Sequence, residues 1–167
     1  MMKFLDETDD ICNMCGAVNT VVNNDGVLKG YNTDVDGFLD PIKKRKITIK
    51  DSKVLILGAG GAARAIIAGM VKEKADKITI SNRTLKNATE LAQFAKNLGG
   101  NATAIPLEEI DQFISEYKFI INSTSVGLRN ESSLIPTDQI NKNSIVYDIV
   151  YTPMNTNLIV NAKKNGA

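Results

Sequence analysis

The sequence predicts an α/β protein built around a doubly wound parallel sheet, and three observations predict it. Short continuous apolar runs alternate along the chain with stretches of helical periodicity. The first of these runs, Val54–Leu57, passes without a break into Gly58-Ala59-Gly60-Gly61-Ala62-Ala63, a small-residue turn that opens a helix. The 167 residues are 43% hydrophobic and 23% charged, which suits one domain, or one domain with a piece of another, around a core that needs no staples.

The elements follow in order. Residues 4–15 read as a short helical stretch. Ala17–Asn23 and Val27–Asn32 read as strands flanking Asn24-Asp25-Gly26, and Asp-Gly is a strong hairpin signal. With Asp25-Gly26 as a two-residue loop, residue numbers across the ladder sum to 51, so Asn19 faces Asn32. Alternation then puts Asp34 on the same face, diagonal to Asn19. That polar face is either solvent-exposed or a site. The basic run Lys43-Lys44-Arg45-Lys46 falls in the connector before the first core strand, as a solvated segment or a phosphate patch.

From Lys53 the pattern becomes regular. Val54–Leu57 has the continuous apolar character of a central parallel strand buried on both faces. A helix follows with Ala62, Ala63, Ile66, Ile67, Met70 and Val71 on one side, then a second strand at Lys77–Ser81. Thr84 suits the N-cap of a helix carrying Leu85, Ala88, Leu91, Ala92, Ala95 and Leu98, closed by Gly99-Gly100. Ala102–Ile105, Phe119–Asn122 and Ser144–Asp148 read as further strands, with helices at Leu107–Glu116 and Asn155–Asn165.

Composition excludes several functions. The 20 basic and 19 acidic residues give a net charge of +1, without the basic excess of a nucleic-acid binder. No run approaches the ~18 apolar residues of a membrane span. Met1-Met2-Lys3-Phe4-Leu5-Asp6-Glu7 lacks the apolar core of a signal peptide, so a cytoplasmic protein is expected. There is no histidine, which removes Ser-His-Asp and Cys-His catalysis and any His-ligated metal. Cys12 and Cys15 form a C-x-x-C, readable as a redox pair, as half of a zinc site whose other ligands are missing, or as two small packed residues in a reducing compartment. The last reading fits best and no metal is expected.

The glycine turn carries the cofactor reading. Gly58, Gly60 and Ala63 match G-x-G-x-x-G/A between a buried strand and a helix, the context of a Rossmann-type dinucleotide site. The helix N-terminus offers free N–H groups to a pyrophosphate. At the end of the second strand an NAD site usually places an acid on the ribose. Here stand Asn82-Arg83-Thr84, with Lys86 close behind. A guanidinium holds a 2′-phosphate bidentately where a carboxylate would repel it, so the chain selects NADP.

These motifs together resemble the shikimate dehydrogenase family, including its quinate/shikimate relatives. The matching stretches are Gly16-Ala17-Val18-Asn19-Thr20, Gly30-Tyr31-Asn32-Thr33-Asp34 with Gly37-Phe38, Gly58–Ala63, Asn82-Arg83-Thr84, Asn122–Gly127, and Asp148-Ile149-Val150-Tyr151-Thr152-Pro153 with Thr156. The resemblance implies reversible NADPH-dependent reduction of 3-dehydroshikimate to shikimate. It implies substrate contacts at Asn19, Asp34 and Tyr151, with Asp34 also the acid of a Lys–Asp catalytic pair. It further implies cofactor contacts at Gly58, Ala59, Gly60, Gly61, Ala62, Ala63, Asn82, Arg83, Thr84, Thr124, Ser125 and Ile149, with Lys86 standing in for a second arginine that the family often has where Asn87 lies.

Departures from the family pattern shape the expectation. The family's lysine lies in an Asn-Val-Thr-x-Pro-x-Lys segment ahead of Gly-Ala-Val-Asn-Thr, and Lys3 has no such context. The Ser-x-Ser substrate contact, and the glycine-rich turn and glutamine that follow in the family, are also unmatched, and Val35 replaces a usual glycine. The expectation is a chain truncated at both ends: residues 1–33 a remnant helix and hairpin of a substrate domain, residues 34–167 an NADP-binding domain incomplete at its C-terminus. A hairpin without its neighbours is expected to expose unpaired edges, and so to self-associate or be disordered. The alternative is a non-catalytic NADP-binding module or sensor derived from the family.

Overall fold

The computed structural model describes residues 2–129, 133–136 and 138–167. A 3-10 turn at Met2–Phe4 leads into β1 (Glu7–Thr8), α1 (Asp10–Cys15), β2 (Thr20–Asn24) and β3 (Val27–Tyr31). These strands form a three-stranded sheet, β1-β3-β2. Asp25 and Gly26 both have positive φ, 49° and 94°, the two-residue turn whose twist suits a hairpin. Thr20 pairs with Tyr31 and Asn24 with Val27, the expected register.

The N-terminal stretch corrects the first expectation, since only Asp10–Cys15 is helical and Glu7–Thr8 pairs parallel with β3. Asp6 holds the segment there, its N–H donating to the Leu28 carbonyl and its carboxylate accepting the Leu28 N–H. The Asp9 carboxylate accepts the Cys12 N–H at 2.6 Å and sets the start of α1, and Gly16, with φ 65°, ends it. The hairpin therefore keeps a short neighbour on the β3 side, while β2 is an edge whose Val21 and Val22 are well exposed.

Asp34 corrects the second expectation. The ladder spans Thr20–Asn24 and Val27–Tyr31, so neither Asn19 nor Asn32 belongs to it, and Asp34 is the first residue of α2 (Asp34–Lys44) rather than a strand residue. Asn32 is buried and makes the turn: its Nδ2 donates to the Ala17 carbonyl and its Oδ1 accepts the Asp34 N–H. Lys43 and Lys44 are thus the last turn of a helix and not a loose connector. Lys43 pairs with Glu73 at 2.6 Å and Lys44 with Asp40 at 2.6 Å.

The second sheet comprises β4 (Lys53–Leu57), β5 (Lys77–Ser81), β6 (Ala102–Ile105), β7 (Phe119–Asn122) and β8 (Ile145–Asp148), all parallel in the order β6-β5-β4-β7-β8. Helices α3 (Gly61–Lys72) and α4 (Leu85–Asn97) return the chain over one face, and α5 (Asn157–Lys164), which follows β8, packs on the other. Alternation divides the core. Val54, Ile56, Ile78, Ile80 and Ile121 pack with residues of α2, α3 and α4, whereas Leu55, Leu57 and Ile120 pack with Ile110, Ile114 and Leu158. The expected helix at Leu107–Glu116 is instead two 3-10 segments, Leu107–Gln112 and Ile114–Glu116, separated at Phe113 with φ −129°. No helix among the described residues is long and apolar enough to cross a membrane.

The strand order reverses at β4, whose neighbours are β5 and β7. At such a switch point the loops leaving adjacent strands diverge and leave a crevice at the carboxyl ends. Gly58 and Ser123 begin those two loops.

Candidate cofactor and substrate clefts

The turn after β4 is shaped by contact with the loop after β7. Gly58 has φ 107°, and a Cβ there would stand 2.7 Å from Ser123 Oγ and 2.8 Å from Thr124 Cγ2. Its N–H donates to the Ser81 carbonyl, and Ser123 Oγ donates to the Leu57 carbonyl, both so tying the crevice walls together. Gly60 precedes α3 and has open space above its Cα, while Gly61 and Ala62 are exposed. Ala63 is fully buried, the small third residue that lets helix and sheet pack closely. The N–H groups of Gly61, Ala62 and Ala63 have no intrahelical acceptor, whereas that of Arg64 donates to the Gly60 carbonyl, and no acid stands in this turn.

A cleft of about 240 Å³ lies beside this turn, lined by Gly58, Ser81, Asn82, Arg83, Thr124 and Ser125 together with Leu107, Val126 and Leu134. Five of the residues singled out from the sequence therefore meet there. Asn82 Nδ2 donates to the Thr84 carbonyl, fixing the start of α4. Thr84 occupies the N-cap position, but its side chain makes no capping bond. Thr84 and Lys86 are exposed on the rim side and do not line the cleft. Ser81 was not singled out from the sequence. It is fully buried, its hydroxyl has no partner among the described residues, and it lines the cleft. An orphan hydroxyl on the wall, an open Gly60 and a cationic rim fit a phosphorylated, hydroxyl-bearing ligand.

On the other side of α3 lies a second cleft of about 450 Å³. Asp34, Ala62, Ile149 and Tyr151 line it with Gly37, Phe38, Ala65, Ile66, Tyr147 and Asp148. The structure thus brings four sequence-predicted positions together, Asp34 and Ala62 with Ile149 and Tyr151 from much later in the chain. Tyr151 is 84% exposed, at the edge of this cleft. Asn19 is outside the lining. Its Oδ1 accepts the Thr33 N–H at 3.0 Å and faces the Thr33 and Thr20 hydroxyls at 3.3 and 3.0 Å, so it steadies the residue immediately before Asp34. No ion pair involves Asp34 among the described residues.

A second feature missed from the sequence joins the clefts. Asn122 and Asp148 pair across β7 and β8, and Asn122 Nδ2 donates to Asp148 Oδ1 at 2.9 Å. The same carboxylate accepts the Val150 N–H at 3.0 Å and the Thr156 hydroxyl at 2.6 Å. Asn122 Oδ1 in turn accepts the Thr124 N–H and hydroxyl, at 3.1 and 2.7 Å. One network therefore sets both the Thr124–Ser125 loop and the Ile149–Tyr151 loop.

Cys12 and Cys15 are free thiols, 0% and 1% exposed, inside α1 and its core contacts. Burial, reinforced by the Asp9 carboxylate, pushes the Cys12 thiol up to about 11, and burial also raises Cys15. A redox pair needs an accessible, acidified thiol, and this one is neither. Iodoacetamide at pH 8 is expected to leave Cys12 unmodified in the native protein and to label both cysteines in urea. Native labelling of Cys12, read by mass spectrometry, would contradict this placement.

A parallel sheet with a switch-point crevice, a glycine turn at the N-terminus of α3 and a cationic rim defines a Rossmann-type α/β domain of the dinucleotide-binding class. The chain belongs to the Shikimate / quinate 5-dehydrogenase family, whose sequence profile matches residues 41–149. It is 56% identical over 167 residues to "Shikimate dehydrogenase (NADP(+))" of Nitrosopumilus maritimus, covering 100% of this chain and 61% of that protein. The crystal structure of shikimate 5-dehydrogenase from Listeria monocytogenes in complex with shikimate and NAD superposes with a TM-score of 0.91 at 34% identity, covering 99% of this chain and 61% of that one. The enzyme from Thermus thermophilus, in complex with NADP(H) and shikimate, gives 0.83 at 34% identity, with 99% and 59% covered. The chain thus spans about three fifths of the length of the curated relatives it matches.

Proposed function

We propose that this chain serves the NADP-dependent interconversion of 3-dehydroshikimate and shikimate, with the cofactor in the cleft beside Gly58 and the substrate in the cleft beside Asp34. The observation that carries the reading is the convergence of Asp34, Ile149 and Tyr151 on a cleft that shares α3 with the glycine turn. Relatives named for this reaction support it. When bound, NADPH supplies the hydride.

The chain's own residues divide the remaining work. Gly58–Ala63, with the free N–H groups of Gly61, Ala62 and Ala63, receive the pyrophosphate. Arg83 takes the 2′-phosphate with Asn82, Thr84 and Lys86 around it, and Ser81 offers its hydroxyl to the adenosine side. Thr124 and Ser125 flank the cofactor, and Ile149 gives the nicotinamide an apolar wall. In the second cleft Tyr151 and Asp34 contact the substrate, with Asn19 holding the turn that presents Asp34. A protonated lysine beside Asp34 would deliver the proton to the carbonyl oxygen, and the carboxylate would favour its charged form. Lys3 lacks the sequence context of that lysine, so Asp34 is the member of the pair assigned within these residues.

A second reading, a family-derived NADP-binding module or sensor without chemistry, rests on the cleft beside Gly58 alone. Calorimetric titration separates the two: the first reading expects shikimate to bind, whereas a sensor takes NADP and ignores shikimate. On either reading Arg83→Ala should weaken NADP about 10- to 100-fold while leaving NAD unchanged, the worth of a charge-assisted phosphate contact. Equal loss for both cofactors would place the 2′-phosphate elsewhere. We further assign residues 1–33 to a substrate-side unit and residues 34–167 to the cofactor unit, and the cytoplasm as compartment. The exposed β2 edge with Val21 and Val22 supports self-association. A concentration-independent monomer in sedimentation would exclude it.

A further inference from the structure

We infer that Arg64 is a positioning residue that couples the two clefts, transmitting occupancy of the α3 turn to the segment that presents Asp34; this rests on the cofactor reading above. Arg64 closes the first turn of α3, immediately after Ala63. Its guanidinium carbon lies over the Phe94 ring on α4, 4.0 Å from the ring centre, a cation–π contact. Its Nε donates to the carbonyl of Cys15, the last residue of α1. Its Nη2 lies 3.5 Å from the point where a Cβ on Gly16 would stand. A cation is also favoured at that point, because the last carbonyls of a helix carry partial negative charge.

From Gly16 the contacts run on without a gap. The Ala17 carbonyl accepts from Asn32 Nδ2, and Asn32 Oδ1 accepts the Asp34 N–H. Two residues beyond Ala17, Asn19 Oδ1 accepts the Thr33 N–H. A shift of α3's first turn on receiving an anion therefore moves Arg64, then Gly16–Asn19, then the start of α2. The link needs an arginine. Only a planar guanidinium can stack on Phe94 and donate edgewise to Cys15 at once, and an ammonium can do one or the other.

The test measures hydrogen exchange at residues 17–33 with and without saturating NADP, alongside calorimetric NADP affinity, in the wild-type chain, Arg64→Lys and Arg64→Gln. In the wild type, NADP is expected to slow exchange there by about fivefold or more, the low end of coupling between linked sites. Both variants are expected to bind NADP within about threefold of wild type and to lose that response. Gln keeps a donor of shorter reach and Lys keeps the charge, so agreement between them assigns the effect to the stacked fork. A variant that retains the response overturns the inference, as does a wild type that binds NADP without slowing residues 17–33. Variants that lose NADP affinity and coupling together, with a lowered melting temperature, would make Arg64 merely structural and overturn it too. Failure of the wild type to bind NADP at all would instead strike the cofactor reading.

Discussion

Gly58→Ala is expected to destabilise the protein by about 2–6 kcal/mol, while Gly60→Ala, two residues away in the same turn, leaves stability nearly unchanged and weakens cofactor binding. Two costs add at Gly58. Its φ of 107° is outside the range an L side chain adopts readily, worth about 1–3 kcal/mol. The new methyl would also stand 2.7 Å from Ser123 Oγ, 2.8 Å from Thr124 Cγ2 and 3.2 Å from the Ser123 carbonyl carbon. Ser123 cannot turn away freely because its hydroxyl is bonded to the Leu57 carbonyl at 2.7 Å. Overpacking of this kind costs about 1–3 kcal/mol more. At Gly60 φ is −99°, and nothing lies within 4 Å of the added atom. The methyl meets no protein there, so the fold changes by less than about 1 kcal/mol. With the cofactor in the proposed site it would stand where the pyrophosphate approaches, and affinity is expected to fall about 10- to 100-fold. Urea unfolding and NADP calorimetry on both variants check the pair. A Gly60→Ala chain that binds NADP normally would remove the turn from the cofactor site, and a stable Gly58→Ala chain would show that the two loops yield.

The contrast between these glycines also marks what the sequence could and could not convey. The G-x-G-x-x-A spacing identified both positions, but not that one is required by a neighbouring loop and the other by an empty space. The five-stranded sheet was legible because strands such as Val54–Leu57 are buried on both faces and so must be apolar throughout. The hairpin register was legible because Asp25-Gly26 admits one loop length. Helix α2 was not. Val35, Phe38, Leu39 and Ile42 carry helical spacing and all are buried, yet Gly37 and Pro41 between them count against a helix. Counting strand alternation past Tyr31 therefore places Asp34 on the wrong kind of element. Ser81 and the Asn122–Asp148 pair were hidden for another reason. Ser81 gains meaning only from what stands across the crevice, and Asn122 and Asp148 are 26 residues apart until β7 and β8 align.

Asp148→Ala is expected to cost about 2–4 kcal/mol and to loosen both clefts together, whereas Asp148→Asn is expected to cost less than about 1 kcal/mol. The carboxylate accepts from Asn122 Nδ2, the Val150 N–H and the Thr156 hydroxyl. Alanine leaves three donors to find other partners. Two belong to residues buried at 3% and 2% exposure, Asn122 and Thr156, where water is poorly placed to replace the lost acceptor. Asparagine keeps one oxygen for Asn122 and Val150. Its amide can donate to the Thr156 oxygen, because a hydroxyl accepts as well as donates and Thr156 already accepts the Ile159 N–H at the cap of α5. The difference between the variants thus isolates hydrogen bonding from charge. The functional consequence follows from position. Asn122 also holds Thr124 by its N–H and hydroxyl, and Asp148 precedes Ile149 and Tyr151. Releasing the carboxylate frees the loop that flanks the cofactor cleft and the loop that walls the substrate cleft in one step. Hydrogen exchange at residues 123–127 and 149–153 should therefore rise in parallel in Asp148→Ala and stay near wild type in Asp148→Asn. A rise confined to one of the two loops would mean that they are held independently and that the network is only a local cap for α5.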